Sequence, residues 1–301
     1  LKKNFHIRME MDPSGLYCSQ SNVPRRDHHH QRRRKEIAAS RLPRTVLVHI
    51  FEHLNVAELG AVGRVCRSWK CVVDTNDLEL WAYHARSQLP ESALSDPYLF
   101  THVASYKDML RAFKHAWNPL DCSRNAFVRT NGFTVHRQPI AQSTDGIRGK
   151  VGVTGGAHCW EFCWEGPLGT TAVVGVATKH AALHCPGYLS LIGSDDQSCL
   201  LINIYILPTF MGWNLVNNTI AHNGECRERY PRFNNTPKYQ IGERIRMVLD
   251  HEKGQLYFEK GDEFYGLAFS DLPPVRLFPA VCAVYGNTEV TMVYLGAPIV
   301  G

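Results

Sequence analysis

The pattern of apolar and polar residues changes character three times along the chain. A polar stretch, 1–41, gives way to LPRTVLVHIFEHLNVAELGAVGRVCRSWKCVVDTNDLELW over 42–81. There Val46, Leu47, Ile50, Phe51 and Leu54 follow the three-and-four spacing of a helix with a wide apolar stripe. Pro43 stands where a first helical turn tolerates proline. Asn55 followed three residues later by Glu58 has the form of a capping box and predicts a second short helix. Val62, Val65, Cys66 and Trp69 continue the apolar face, and Trp81 closes the segment. A piece this short cannot bury so much apolar surface alone, so the excess needs cover from the rest of the chain or from a partner. Next, Tyr106, Met109, Leu110, Phe113 and Trp117 recur at helical spacing and predict a helix that Asn118-Pro119 ends.

From Asp121 the period becomes two. Strand-like runs are 127–129, 134–136, 158–164, 172–177, 244–250, 255–259, 278–283 and 289–294. Turn residues punctuate them at Asn131-Gly132, Asp145-Gly146, Asn223-Gly224, Lys253-Gly254 and Gly286-Asn287. Many short strands at regular intervals predict an all-β sandwich of about 180 residues. The expected fold class is therefore α+β and multidomain, a small helical unit followed by a sandwich.

Charge refines this picture. The net of +5 is uneven, because residues 1–41 carry ten Lys/Arg against four Asp/Glu and leave 23 against 24 for the remainder. The folded part is thus near neutral, which disfavours nucleic-acid binding by it. Within the tail, His28-His29-His30 and Arg32-Arg33-Arg34-Lys35 read either as a disordered solvated segment or as a patch for nuclear import or an acidic partner. Leu1 is not an initiator whereas Met9 and Met11 are, so residues 1–8 are expected to be translated upstream sequence.

Candidate chemistry changes little. The ten cysteines show no C-x-x-C pairing and read as reduced thiols of an intracellular protein. Cys159 and Cys163, with His158 beside them, fit a metal half-site, but no second ligand pair of zinc spacing follows, and buried structural thiols are the favoured reading. No run reaches the roughly eighteen apolar residues of a membrane helix, so no membrane insertion is expected. GIRGK (146–150) lacks the spacing of a phosphate loop, and no Gly-x-Ser-x-Gly elbow occurs. Asp195-Asp196 with His222 or His251 could be drawn as acid and base, but adjacent acids usually form solvated turns. The chain is expected to recruit other proteins, not to catalyse, and to need no cofactor.

Residues 39–84 resemble an F-box. The family pattern is met at Leu42-Pro43, Ile50-Phe51, Leu54, Leu59, Val65-Cys66-Arg67, Trp69 and Leu80-Trp81. The resemblance implies docking onto the Skp-type adaptor of ubiquitin ligases through Leu42, Pro43, Val46, Leu47, Ile50, Phe51, Leu54, Leu59, Val65, Cys66 and Trp69. Residues 85–120 would be a helical connector, and 1–38 the disordered basic tail.

Residues 121–298 look like a SPRY domain, on HCWEFCWEG (158–166), VVGVAT (173–178), GSDDQS (193–198), GWNLV (212–216), GERIRMVLD (242–250), LYFEKG (256–261) and LFPAVCAVYGNTEVTMVYLG (277–296). The order of the two domains, with DCSRN (121–125), NGFTVHR (131–137) and PIAQSTDG (139–146), is similar to the F-box/SPRY-domain family of the Fsn type. That resemblance implies a peptide-binding edge at Thr170, Tyr188, Leu191, Val284, Tyr285 and Gly286. It also implies a complex with a Highwire-type RING ubiquitin ligase and a cytoplasmic, synaptic location. One departure stands out: Cys199–Met211, CLLINIYILPTFM, separates the acidic turn from Gly212-Trp213, where the family runs directly into Trp-Gly-Trp. Thirteen mostly apolar residues are a strange loop for a sandwich, and the segment is expected to be a dispensable, foreign insertion.

Overall fold

The apolar stripe of 42–54 forms the first helix of the described residues, and the chain then folds as two layers of sheet. The structure, a computed structural model, describes residues 42–188, 191, 210–222, 225–232 and 239–298. The helices are α1 (Arg44–Glu52), α2 (Val56–Val62), α3 (Arg67–Thr75), α4 (Ala82–Gln88), α5 (Glu91–Leu94) and α6 (Tyr106–Lys114), with a π-helical turn at Asp77–Trp81 before α4. The capping box is present: Asn55 Oδ1 accepts from Glu58 N at 2.9 Å, and Glu58 Oε2 accepts from Asn55 N at 2.8 Å. Two orphan donors of α2 are thereby satisfied.

The helical core gathers Leu47, Phe51, Leu59, Val72, Val73, Leu80 and Trp81, all buried. The Phe51 and Trp69 rings meet edge to face at 5.5 Å, and Trp81 Nε1 donates to the Val73 carbonyl at 2.6 Å. Helix α6 belongs to both halves of the molecule. Leu110 enters the helical core, while Ala112 enters the core of the sandwich. Asp77 of the π turn accepts from the backbone N–H groups of Tyr106 and Lys107 at 3.0 and 3.1 Å, capping α6 from the preceding segment.

The strands are β1 (Trp117–Cys122), β2 (Ala126–Val128), β3 (Thr134–Arg137), β4 (Ser143–Gly149), β5 (Ala157–Glu165), β6 (Ala172–Ala177), β7 (His184–Pro186), β8 (Phe210–Asn214), β9 (Thr219–His222), β10 (Glu225–Arg229), β11 (Arg244–Asp250), β12 (Gln255–Lys260), β13 (Glu263–Phe269), β14 (Phe278–Ala283) and β15 (Glu289–Gly296). One antiparallel sheet runs β1-β4-β14-β6-β8-β9-β10, with β7 also on β4. The other runs β13-β12-β11-β5-β15-β3-β2. Along β5, Trp160, Phe162 and Trp164 alternate into the core between the sheets. On its other face Glu161 is buried under the connector, where its carboxylate meets His102 at 2.7 Å and Arg244 at 2.5 Å.

Three expectations are corrected here. The helix predicted through Trp117 stops at Lys114, and Trp117 begins β1, fully buried with its indole N–H on the Val290 carbonyl at 3.0 Å. Apolar spacing continues past the helix end because Trp117 is buried in the core of the sandwich. Asp145-Gly146 is not a turn but the middle of β4, a strand buried along its whole length. Its polar residues hid it from a search for apolar alternation, and each charged one has partners: Arg148 pairs with Asp121 at 2.8 Å, and Asp145 with Arg137 at 3.0 Å. Finally, Phe210 and Met211, the end of the stretch read as foreign, are β8 residues buried against Ala177 and Val176 of β6. The rest of that stretch, 199–209, lies outside the described residues, as do the tail 1–41 and Asn223-Gly224.

Candidate functional site

Helix α1 is apolar on two faces. Leu47 and Phe51 point inward and are buried, so these residues, with Leu59, support the helical core. The face turned out carries Pro43, Val46 and Ile50, spaced three and four apart, all exposed. Val65, just before α3, is exposed as well. Leu42, Leu54, Cys66 and Trp69 are half-buried between the two sets. The predicted adaptor residues thus divide into a supporting set and a presented set. Among the described residues, the Leu47 and Phe51 side of this broad apolar stripe is covered and the Val46 and Ile50 side is not.

The second surface lies on the sandwich. A cleft of about 550 Å³ is walled by segments from four places: the end of β3 with the loop after it, the loop before β6, Tyr188 after β7, and the turn between β14 and β15. Thr170, Tyr188, Val284, Tyr285 and Gly286 all line it. Tyr188 and Tyr285 are about half exposed, and Ile140 adds a third exposed apolar side chain to the rim. Leu191 does not join them. It is buried beneath β4 and β14 beside Val173 and Cys282, and its Cδ1 lies 2.7 Å from where a Cβ on Gly146 would be. The sequence reading missed Arg137, Pro139, Ile140, Ala141, Gly169 and Asn287. The pattern PIAQ after a strand was the available signal, since Pro139 marks the start of a loop.

Two glycines permit the cleft. A Cβ on Gly286 would sit 2.5 Å from Pro139 Cα, so only glycine lets these loops close on each other. Gly169 has φ +67° and faces Tyr285 Cβ at 3.0 Å from its own Cβ position. Beneath them, Arg137 donates through Nε to Asp145 at 3.0 Å and through Nη2 to the carbonyls of Ile140 and Ser143 at 2.6 and 2.7 Å. Asp145 also accepts from Ser123 at 2.6 Å and Ser143 at 2.9 Å, and lies 3.1 Å from His184 Nδ1. Burial pushes the Asp145 carboxyl up, but hydrogen bonds from Ser123, His184 and Ser143 and the Arg137 charge outweigh it and hold it below the usual range. The pair is internally compensated, so the cleft offers a ligand apolar walls and backbone groups, not net charge.

The remaining candidates are placed as follows. Burial pushes the Cys159 thiol up to about 12 and the Cys163 thiol up to about 11. His158 spends its ring nitrogens on the Tyr294 hydroxyl at 2.9 Å and the Gly155 carbonyl at 3.0 Å. No group of three metal-binding side chains occurs among the described residues. His251 Nε2 lies 2.8 Å from the Val275 carbonyl, and Asp195 and Asp196 lie outside the described residues. No helix among the described residues is long and apolar enough to cross a membrane.

Comparison with known proteins adds the following. A protein-family model described as F-box-like matches residues 39–87, and the SPRY domain model matches residues 157–296. The F-box/SPRY domain-containing protein 1 of Caenorhabditis briggsae is 53% identical over 283 residues, 94% of this chain and 81% of that protein. Its counterpart in Drosophila melanogaster is 51% identical over 256 residues, 85% of this chain and 95% of that protein. Among solved structures, the SPRY domain of human HERC1 aligns over 59% of this chain and 97% of its own, at 21% identity and a TM-score of 0.44.

Proposed function

We propose the function from one premise: this chain belongs to the F-box/SPRY domain-containing protein 1 family. In general terms that architecture implies a substrate receptor of a ubiquitin ligase, with the F-box engaging a Skp-type adaptor and the SPRY domain engaging a protein target. The proposed chain of action is simple. The outward face of α1 attaches the molecule to the ligase, the cleft at Tyr188 and Tyr285 captures a target or scaffold peptide, and ubiquitin transfer takes place on partner subunits. The family reading extends the proposal to assembly with a Highwire-type RING ligase at synapses, restraining synaptic growth by removing a kinase of the axonal stress pathway.

The observation that carries the proposal is the double-faced α1, with Leu47 and Phe51 inward and Val46 and Ile50 outward. Each apolar anchor of this size contributes about 1.5–3 kcal/mol when fully covered. Replacing Val46 and Ile50 together by aspartate should abolish binding to a purified Skp-type adaptor while the thermal unfolding of the chain stays unchanged. Undiminished adaptor affinity in that variant would refute the proposal for this face. If the adaptor binds but no bound protein gains ubiquitin in a reconstituted ligase, the SPRY cleft serves a scaffold without degradation.

A further inference from the structure

A second concave surface lies on the helical half, between α2, α3 and α6, with a volume of about 400 Å³. Its floor is apolar, formed by Leu59, Val73, Trp81 and Leu110. Its rim is cationic: Arg64 and Lys70 on one side, and Lys107, Arg111 and Lys114 along α6 on the other. Asp74 is the one acidic residue lining it. Lys107 pairs with Asp74 at 3.5 Å and Arg111 with Asp108 at 2.9 Å. Arg64, Lys70 and Lys114 carry no ion pair among the described residues. The chain beyond residue 41 is near neutral, with 23 Lys/Arg against 24 Asp/Glu, so this is a local concentration of charge and not a general basic character.

Gly60 supplies an independent observation. It sits inside α2 on the groove wall, exposed, at a φ that any residue adopts, and a Cβ there would meet nothing within 4 Å. The fold of this chain does not require glycine at that point, and glycine inside a helix costs stability relative to alanine. A bare helix wall allows another backbone to approach closely.

We infer that the groove between α2, α3 and α6 docks an amphipathic acidic helix of a partner protein. Leucine-type side chains of that helix would lie over Val56 and the edge of Leu110, its backbone against Gly60, and its carboxylates against Lys70 and Lys114. Residues 1–41, with ten Lys/Arg against four Asp/Glu, lack the acidic character that the rim calls for. The proposed adaptor face is a different surface: its presented residues Pro43, Val46, Ile50 and Val65 do not line the groove.

The test uses the full chain and a displayed library of helix-forming peptides about five turns long. Leucine is fixed at helical spacing, and the other positions vary among Glu, Lys, Gln and Ser. Selected peptides should be rich in glutamate beside the leucine stripe. Their affinity should fall about tenfold or more with Lys70→Glu plus Lys114→Glu, and with Gly60→Leu, at thermal midpoints that do not fall below that of the wild type. Tyr285→Ala should leave it unaltered, and saturating Skp-type adaptor should not displace the peptide. Selection indifferent to charge, or affinity untouched by the Lys70 and Lys114 changes, overturns the inference. So does displacement by the adaptor, which would make the groove part of the adaptor face, and so does a dimer of this chain that dissolves with Lys70→Glu, which would make the occupant a second copy.

Discussion

Ile50 on α1 and Tyr285 on the turn after β14 are exposed to a similar extent, 43% and 49%, for different physical reasons. Ile50 belongs to one helix whose inner face is already filled, so its exposure is the surplus of a segment too small to bury what it carries. Tyr285 belongs to a sandwich with a complete core, in which Trp117, Trp160, Trp164 and Trp213 are all fully buried. Its exposure is made by loops that meet only because two sheets have closed. The helical surface is built mainly by one element, whereas the cleft is concave and built by several. An exposed apolar helix face suits a partner that covers it, and a lined cleft suits an extended peptide.

The comparison can be broken hardest at the sheets. A Cβ on Gly175 would lie 1.9 Å from the Met211 carbonyl and 2.4 Å from Gly212 Cα, both backbone. Gly175→Val should therefore cost more than about 4 kcal/mol and leave no cooperative sandwich transition in a denaturant melt. A melt indistinguishable from wild type would mean that β6 and β8 are not in this register. One step down, Phe51→Ala should destabilise the helical half by about 3–5 kcal/mol through a core cavity. Ile50→Ala, one residue away, should leave the melt unchanged and weaken adaptor binding only. Equal effects of the two on stability would erase the distinction between supporting and presented faces.

Tyr285→Ala sharpens the other half of the comparison. It should reduce affinity for a cleft-bound peptide by about 2 kcal/mol, with adaptor binding retained, as read by calorimetry on both ligands. A smaller effect should appear where the halves join. His115 stacks on Tyr294 at 4.1 Å, and burial, with help from His158, Lys114 and Arg111, pushes its pKa down from 6.5 to about 4. The folded state thus favours the neutral ring. Its contribution to stability is complete above pH 6.5 and is lost as pH falls through about 4. Partial exposure screens the effect. His115→Gln should flatten the slope of thermal midpoint against pH in that window, and an unchanged slope would assign it to other groups. The smallest expected change is a gain: Gly60→Ala should stabilise α2 by about 0.5–1 kcal/mol, seen as a raised thermal midpoint.

What was legible in the chain was whatever short-range spacing encodes. The stripe from Val46 to Leu54, the capping box at Asn55 and Glu58, and strands such as 172–177, 244–250 and 278–283 follow from periods of 3.6 and 2 and from local hydrogen bonding. Strand β4 escaped because its buried residues are polar, and only the closed sandwich supplies Arg137 to Asp145 and Asp121 to Arg148. Five of the six expected cleft residues line one concave surface, and Leu191 is turned beneath it.

The sequence by itself determined that α1 is apolar on more than one side, that the second half alternates as a sandwich, and that positive charge concentrates in the first 41 residues. Tertiary structure alone decided which apolar residues of α1 are presented. That choice depends on where α3 and the π turn place Trp69, Leu80 and Trp81, and so which face they cover. It also decided the cleft and the cationic groove. Each combines side chains that lie tens of residues or more apart, and a spacing rule reaches only as far as one element of secondary structure.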